Sequence, residues 1–236
     1  MLPPDTEADR TGIAEMQHIA GLNAMQRELR RRYPRLVMEG CCGGGRRIDL
    51  DSISCFHWHQ KSDAWFDTVS DQCGLHGANL FLPGGVINVP TQAVDDFGLW
   101  SSFAGQLCLA WHPLDADFPM EKALAQVQLY KRVRPYLSGD FYPLTECELE
   151  APWLAMQFHR HDLDEGLVLL FKRHAGGGDV FELSLRGLEP ERRYELHFEA
   201  GSDARIESGG ALRDGVRVTL HRTPDAELIT YRRASD

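Results

Sequence analysis

Residues 38–49, Met-Glu-Gly-Cys-Cys-Gly-Gly-Gly-Arg-Arg-Ile-Asp, gather many of the groups in this chain that could hold a polar ligand. Glu39, Cys41, Arg46, Arg47 and Asp49 crowd around Gly43, Gly44 and Gly45. Three glycines in a row remove every β-carbon from the bend, so backbone amides can lie against a ligand. The apolar run Leu36-Val37-Met38 reads as a buried strand closed by turn signals. In α/β proteins the C-terminal end of a strand is where active sites are built. A second group follows one strand later, where Lys61-Ser62-Asp63 closes the aromatic stretch Ser54–Gln60. Asp63 is a carboxyl group able to act as general acid and base. The plainer alternative is that Asp63 or Ser62 caps a helix over 64–73, where Trp65, Val69 and Cys73 recur every four residues.

The elements that would position these groups follow from periodicity. Ile13, Met16, Ala20, Leu22, Met25 and Leu29 predict a helix over 11–32. Strands are expected at 35–39, 55–60, 78–82 and 104–111, with helices near 64–74, 94–102 and 119–133. The last starts at Asp117 and Pro119 and sets Met120, Leu124 and Val127 on one face. Strands alternating with helices argue for βα units and a parallel sheet, and four such units fit before residue 145. Beyond Thr145 the pattern turns to short alternating strands, expected at 153–160, 165–173, 179–185, 193–199, 215–221 and 226–233. Gly176-Gly177-Gly178-Asp179 and Gly209-Gly210 read as hairpin turns between them. With no long linker near 146–152, the two regions should pack against each other.

The motif Glu39-x-Cys41-x-x-Gly44-Gly45-x-Arg47-x-Asp49, followed by Lys61-Ser62-Asp63, resembles glycoside hydrolase family 36, the α-galactosidase (melibiase) family. The resemblance continues through Asn79–Gly84, Arg134–Thr145 and the turn Gly187–Tyr194, and covers nearly the whole chain. It implies an α/β region followed by an all-β one: residues 1–145 as the C-terminal half of a (β/α)8 catalytic barrel, and 146–236 as an antiparallel β-sandwich. Four βα units are half of the eight a barrel needs in roughly 250 residues. The expectation is therefore a C-terminal fragment lacking the first half of the barrel.

By the same resemblance Asp63 matches the family's acid/base, and Cys41 the loop cysteine that touches the sugar. Gly44 and Gly45 give backbone support, with Arg47 and Ser62 beside the substrate; Arg47 and Asp49 would hold the loop. The implied reaction is retaining hydrolysis of terminal α-galactosides, with two carboxyl groups about 5–5.5 Å apart acting in turn. No residue here matches the family's nucleophile, so the chain alone is expected to be inactive. Two positions depart from the pattern: Gln60 stands where a tryptophan is usual, and Ala64 follows the aspartate. Trp58 stands two residues before Gln60, and Trp65 or Trp111 is the aromatic that could compensate. The alternatives are a noncatalytic carbohydrate-binding or structural remnant, which would cover its open sheet edges by self-association as a homo-oligomer, and a related glycosidase or transglycosidase acting on another α-linked sugar.

Composition narrows the partners. Hydrophobic residues make up 43% and charged residues 25% of 236, enough for a core. The net charge of −10 disfavours nucleic acid, and Arg30-Arg31-Arg32 reads as cations complementing a helix C-terminus. No apolar run reaches the length of a membrane span, and Met1–Arg10 lacks a signal-peptide core. A cytoplasmic setting is favoured because the composition agrees with that of an intracellular enzyme piece. Cys55, Cys73 and Cys108 fall in expected core elements and read as buried thiols. His57 and His59 with Cys41 or Cys42 could frame a zinc site, but no CxxC or HExxH supports it, so neither metal nor cofactor is expected. His159-Arg160-His161 reads as a solvated strand end.

Overall fold

The structure, a computed structural model, describes residues 10–64, 66–201 and 204–234. It divides into two compact units, residues 1–60 and 61–236.

In the first unit, helix α1 (Ile13–Arg32) precedes strand β1 (Glu39–Gly40), a short helix α2 (Leu50–Ile53) and strand β2 (Trp58–Gln60). β1 and β2 pair in parallel, Glu39 opposite Trp58 and Gly40 opposite His59. The run Leu36-Val37-Met38 is not a buried strand: Leu36 and Val37 are exposed, and the ladder begins only at Glu39. Nor does α1 bury the predicted apolar stripe. Its buried residues are Asn23 and Gln26, while Met16, Ile19 and Met25 are exposed. Its attachments are polar, with Asn23 and Arg27 both donating to Asp51 and Arg30 Nη1 donating to the Ser54 carbonyl at 2.7 Å. Arg31 and Arg32 pair with Glu28 in the last turn, where cations suit the helix dipole.

The second unit opens with helix α3 (Thr68–Asn79), strand β3 (Ile87–Thr91), helix α4 (Asp96–Ser101), strand β4 (Gln106–Leu109) and helix α5 (Met120–Val133). β3 and β4 pair in parallel, Val89 opposite Leu107. The strand expected at 78–82 is instead the end of α3 and the turn after it, with Leu80 and Phe81 exposed. α5 has the expected bounds but turns a different face inward. Ala123, Gln126, Tyr130 and Val133 are buried, while Met120 and Leu124 are exposed. Gln126 is drawn in because Oε1 accepts from Trp100 Nε1 at 2.8 Å and Nε2 donates to Asp96 Oδ1 at 2.7 Å.

The remaining strands are β5 (Asp140–Pro143), β6 (Trp153–Arg160), β7 (Glu165–Lys172), β8 (Val180–Leu183), β9 (Arg193–Phe198), β10 (Ala204–Ser208), β11 (Val216–Thr219) and β12 (Asp225–Arg233), with a short helix α6 (Gly209–Asp214) after β10. Six form an antiparallel sheet in the order β10-β9-β12-β7-β6-β5, and β8 pairs with β11 in a second, smaller sheet. Gly176–Asp179 is therefore no hairpin but the passage from one sheet to the other, and Gly209-Gly210 begins α6. Trp153, Ala155, Val168, Leu170, Leu196 and Ile229 pack one face of the large sheet against Leu183, Val216, Val218 and Leu220. The opposite face meets α4, with Phe97 edge-on to Phe171 at 6.0 Å. β6 and β7 are buried on both faces, which explains their nearly continuous apolar sequences. The fold is part of a (β/α)8 barrel followed by an antiparallel β-sandwich.

Candidate functional site

Cys41, Gly44, Gly45 and Arg47 lie together in one tight loop of the first unit, immediately after β1. The Cys42 amide donates to the Gly44 carbonyl at 3.2 Å, and Gly43 and Gly44 have φ of +52° and +72°. An L-residue at either place would sit in the left-handed region at a cost of about 1–2 kcal/mol, which explains the glycines. Gly44 is buried beneath the loop; Cys41 and Arg47 are exposed on it. Asp49 ends the loop as the N-cap of α2, its Oδ1 accepting from the amides of Asp51 at 3.1 Å and Ser52 at 2.9 Å. The Ser52 amide bond is the main cause holding the Asp49 carboxyl below its usual range. Its role is to fix the loop's exit.

Beneath the loop, Gly40 admits the His59 ring. A β-carbon there would come within 2.7 Å of His59 Nδ1 and 2.8 Å of Phe56. His59 is buried against the Ile53 carbonyl, 3.2 Å from Nε2, and burial pushes its pKa down. His57 Nδ1 accepts the Met38 amide at 3.1 Å. Both rings thus serve the backbone, and among the described residues no cluster of three or more His, Cys, Asp or Glu could hold a metal ion.

Ser62 and Asp63 lie together in a turn that opens the second unit. The Ala64 amide donates to Ser62 Oγ at 2.8 Å, which shapes the turn. Asp63 is exposed and caps no helix. α3 begins later than expected, at Thr68, and its cap is Asp67, which accepts from the Ser70 amide at 3.4 Å and from Ser70 Oγ at 2.6 Å. The capping alternative for Asp63 is thereby removed. Lys61, just ahead of it, is buried in an ion pair with Asp71 on α3. Burial pushes the Asp71 carboxyl up, and the Lys61 ammonium opposes that shift. Trp65 lies outside the described residues.

A polar cleft of about 170 Å³ lies at the C-terminal end of β3, lined by Thr68, Asp71, Thr91, Gln92, Ser101 and Ser102 among others. Trp111 fixes this strand end, with Nε1 donating to the Ala93 carbonyl at 3.1 Å. The cleft carried no sequence signal beyond Asp71 and Ser101 standing inside helices, where polar residues are ordinarily solvated. Further on, His159 is buried rather than solvated, with Nδ1 3.1 Å from the Tyr231 hydroxyl. Of the three expected core thiols, Cys55 is buried, Cys73 half-buried and Cys108 exposed.

No family model matches the chain. Alpha-galactosidase 1 of Pediococcus pentosaceus is 26% identical over 207 residues, 82% of this chain and 27% of the relative. Alpha-galactosidase AgaA of Geobacillus stearothermophilus is 26% identical over 208 residues, 83% of this chain and 28% of the relative. Among solved structures, the α-galactosidase from Lactobacillus brevis superposes with a TM-score of 0.86 at 18% identity, over 100% of this chain and 34% of its own. AgaA from Geobacillus stearothermophilus gives 0.83 at 23%, over 97% and 33%. The chain spans between a quarter and a third of the length of these relatives. It is homologous to the α-galactosidases of glycoside hydrolase family 36 and shares the fold of their corresponding part.

Proposed function

We propose that this chain is the C-terminal portion of a retaining α-galactosidase-like glycoside hydrolase, with terminal α-galactosides as substrates and the cytoplasm as its setting. Residues 1–145 would supply the second half of the catalytic barrel and 146–236 the β-sandwich appended to it. Asp63 is the acid/base: it gives a proton to the departing glycosidic oxygen, then takes one from the water that releases the sugar. Cys41 and Arg47, on the loop backed by Gly44 and Gly45, contact the sugar, with Ser62 beside the acid/base. The observation that carries this reading is that Asp63 sits exposed in the turn after β2 while Asp67 does the capping. It is supported by relatives named for α-galactosidase activity, one of them crystallised with raffinose.

The chain holds no counterpart of the family's nucleophile, so it carries half the carboxyl pair and has no turnover by itself. Joining it to the first two-thirds of Geobacillus stearothermophilus AgaA, in place of that protein's own last third, tests the proposal. Hydrolysis of p-nitrophenyl α-galactoside by the chimaera, absent from the 236-residue chain alone, is expected. A folded chimaera without activity on any aryl α-glycoside would favour the noncatalytic remnant, and one active only on another sugar would reassign the substrate.

A further inference from the structure

Outside the candidate site, two half-buried cysteines far apart in sequence face each other. Cys147, in the segment between β5 and β6, donates its thiol proton to the sulfur of Cys73 on α3, with the sulfurs 2.9 Å apart. Seventy-four positions separate them. The surroundings fix both partners. Arg173, itself buried, donates from Nε to the Ala151 carbonyl at 3.1 Å and from Nη2 to the Glu148 carbonyl, clamping the chain just after Cys147. The same guanidinium donates from Nη1 to Cys73 Sγ at 3.4 Å. One turn along α3, His76 Nε2 lies 3.3 Å from the Thr145 carbonyl and holds the chain just before Cys147.

We propose that Cys73 and Cys147 are a thiol pair that closes to a disulfide on exposure to a low-molecular-weight disulfide oxidant, stapling α3 to the segment that leads into the β-sandwich. Closing the sulfurs from 2.9 Å to a bond of about 2.05 Å needs a shift of less than about 1 Å, within reach of side-chain rotation. Burial, followed by the bond to Cys73, pushes the Cys147 thiol up to about 12, so it stays protonated until the exchange begins. With oxidised glutathione, the Cys73 sulfur attacks one glutathione sulfur and breaks the S–S bond, releasing one glutathione thiol and leaving a mixed disulfide. The Cys147 sulfur then displaces the second glutathione from Cys73, forming the internal bond. Two protein thiols are oxidised, one glutathione disulfide is reduced to two thiols, and those thiols carry both protons.

The test uses the full chain incubated with oxidised glutathione, alkylated while folded, then digested without reduction and mapped by mass spectrometry. The expected product is a peptide pair joining Cys73 to Cys147, two hydrogens lighter than the separate peptides and split by dithiothreitol. Closing a loop of this length should raise Tm by about 5–15 °C, reversibly. In Cys147→Ser, Cys73 should stop at the glutathione adduct with no gain in Tm. Alkyl groups or separate glutathione adducts on both cysteines of the wild-type protein would overturn the proposal, as would either one bridged to a different cysteine. If Cys147→Ser fails to fold, the wild-type map decides by itself.

Discussion

Lys61 and Asp71 form an ion pair with side chains only 2% and 5% exposed, ten residues apart, and it fastens the Ser62-Asp63 turn to the first turns of α3. Taking both charges out of water is costly, and the pair holds because each compensates the other. Removing one partner alone leaves an uncompensated charge in the interior. Lys61→Met should therefore destabilise the second unit by about 3–5 kcal/mol, whereas Lys61→Met with Asp71→Leu should recover most of that loss. Urea unfolding of the single and double variants checks this; equal losses in both would show that the pair is not buried as described.

Asp63 and Asp67 lie four residues apart and have opposite roles. Asp67→Ala removes the α3 cap and should cost about 1 kcal/mol of stability. Asp63→Ala, at an exposed position that caps nothing, should stay within about 0.5 kcal/mol of the parent. Thermal melts of the two variants side by side would reveal a structural role for Asp63 if the order were reversed.

Gly40 should resist substitution more than its place in a two-residue strand suggests. A methyl group there meets the His59 ring and Phe56 at less than 3.0 Å, and His59 is held in turn by the Ile53 carbonyl. Gly40→Ala should cost about 1–3 kcal/mol through overpacking. Gly21→Ala, with open space around its β-carbon in mid-helix, should stabilise by about 0.5–1 kcal/mol. Chemical denaturation of both variants separates these effects.

Glu227 on β12 is buried, and burial raises its pKa from 4.5 to about 7 against hydrogen bonds from the amides of Ala200 and Leu228, which lower it. The folded state then binds the proton more tightly than the unfolded chain. Glu227 thus contributes most stability below about pH 4.5 and loses it as pH rises through 7, up to about 3 kcal/mol. Glu227→Gln lacks this titration, so its stability relative to wild type should climb between pH 4.5 and 8. A difference that stays flat across that range would contradict the assignment.

The sequence was legible where local signals and burial agree. α5 starts just after Pro119 as expected, and β6, β7 and β12 fall within two residues of their expected bounds. It misled where apolar residues are not the buried ones. α5 turns inward on Gln126, whose amide accepts from Trp100 and donates to Asp96, and hydrophobic spacing cannot register such a network. Leu80-Phe81-Leu82 looked like a strand, yet Phe81 is 62% exposed in a turn. β10 was missed because it is an edge strand whose one large apolar residue, Ile206, faces out. At the site, Asp49 as a loop fastener could be read from Asp-x-x-Ser spacing, and the same spacing in Asp67-x-x-Ser70 would have located the α3 cap. The Lys61–Asp71 pair had no local signature, since both side chains are of types usually solvated.

The most direct measurement is the leaving-group dependence of Asp63→Ala in the chimaera with the first two-thirds of AgaA. If Asp63 is the acid/base, hydrolysis of raffinose, whose leaving group needs a proton, should fall by about 10²–10⁴-fold, while an activated dinitrophenyl α-galactoside should still react quickly at its first step. Added azide should then restore turnover and yield α-galactosyl azide, because the anion replaces the water that Asp63 would have deprotonated. Undiminished raffinose hydrolysis by Asp63→Ala would contradict the role assigned to this residue.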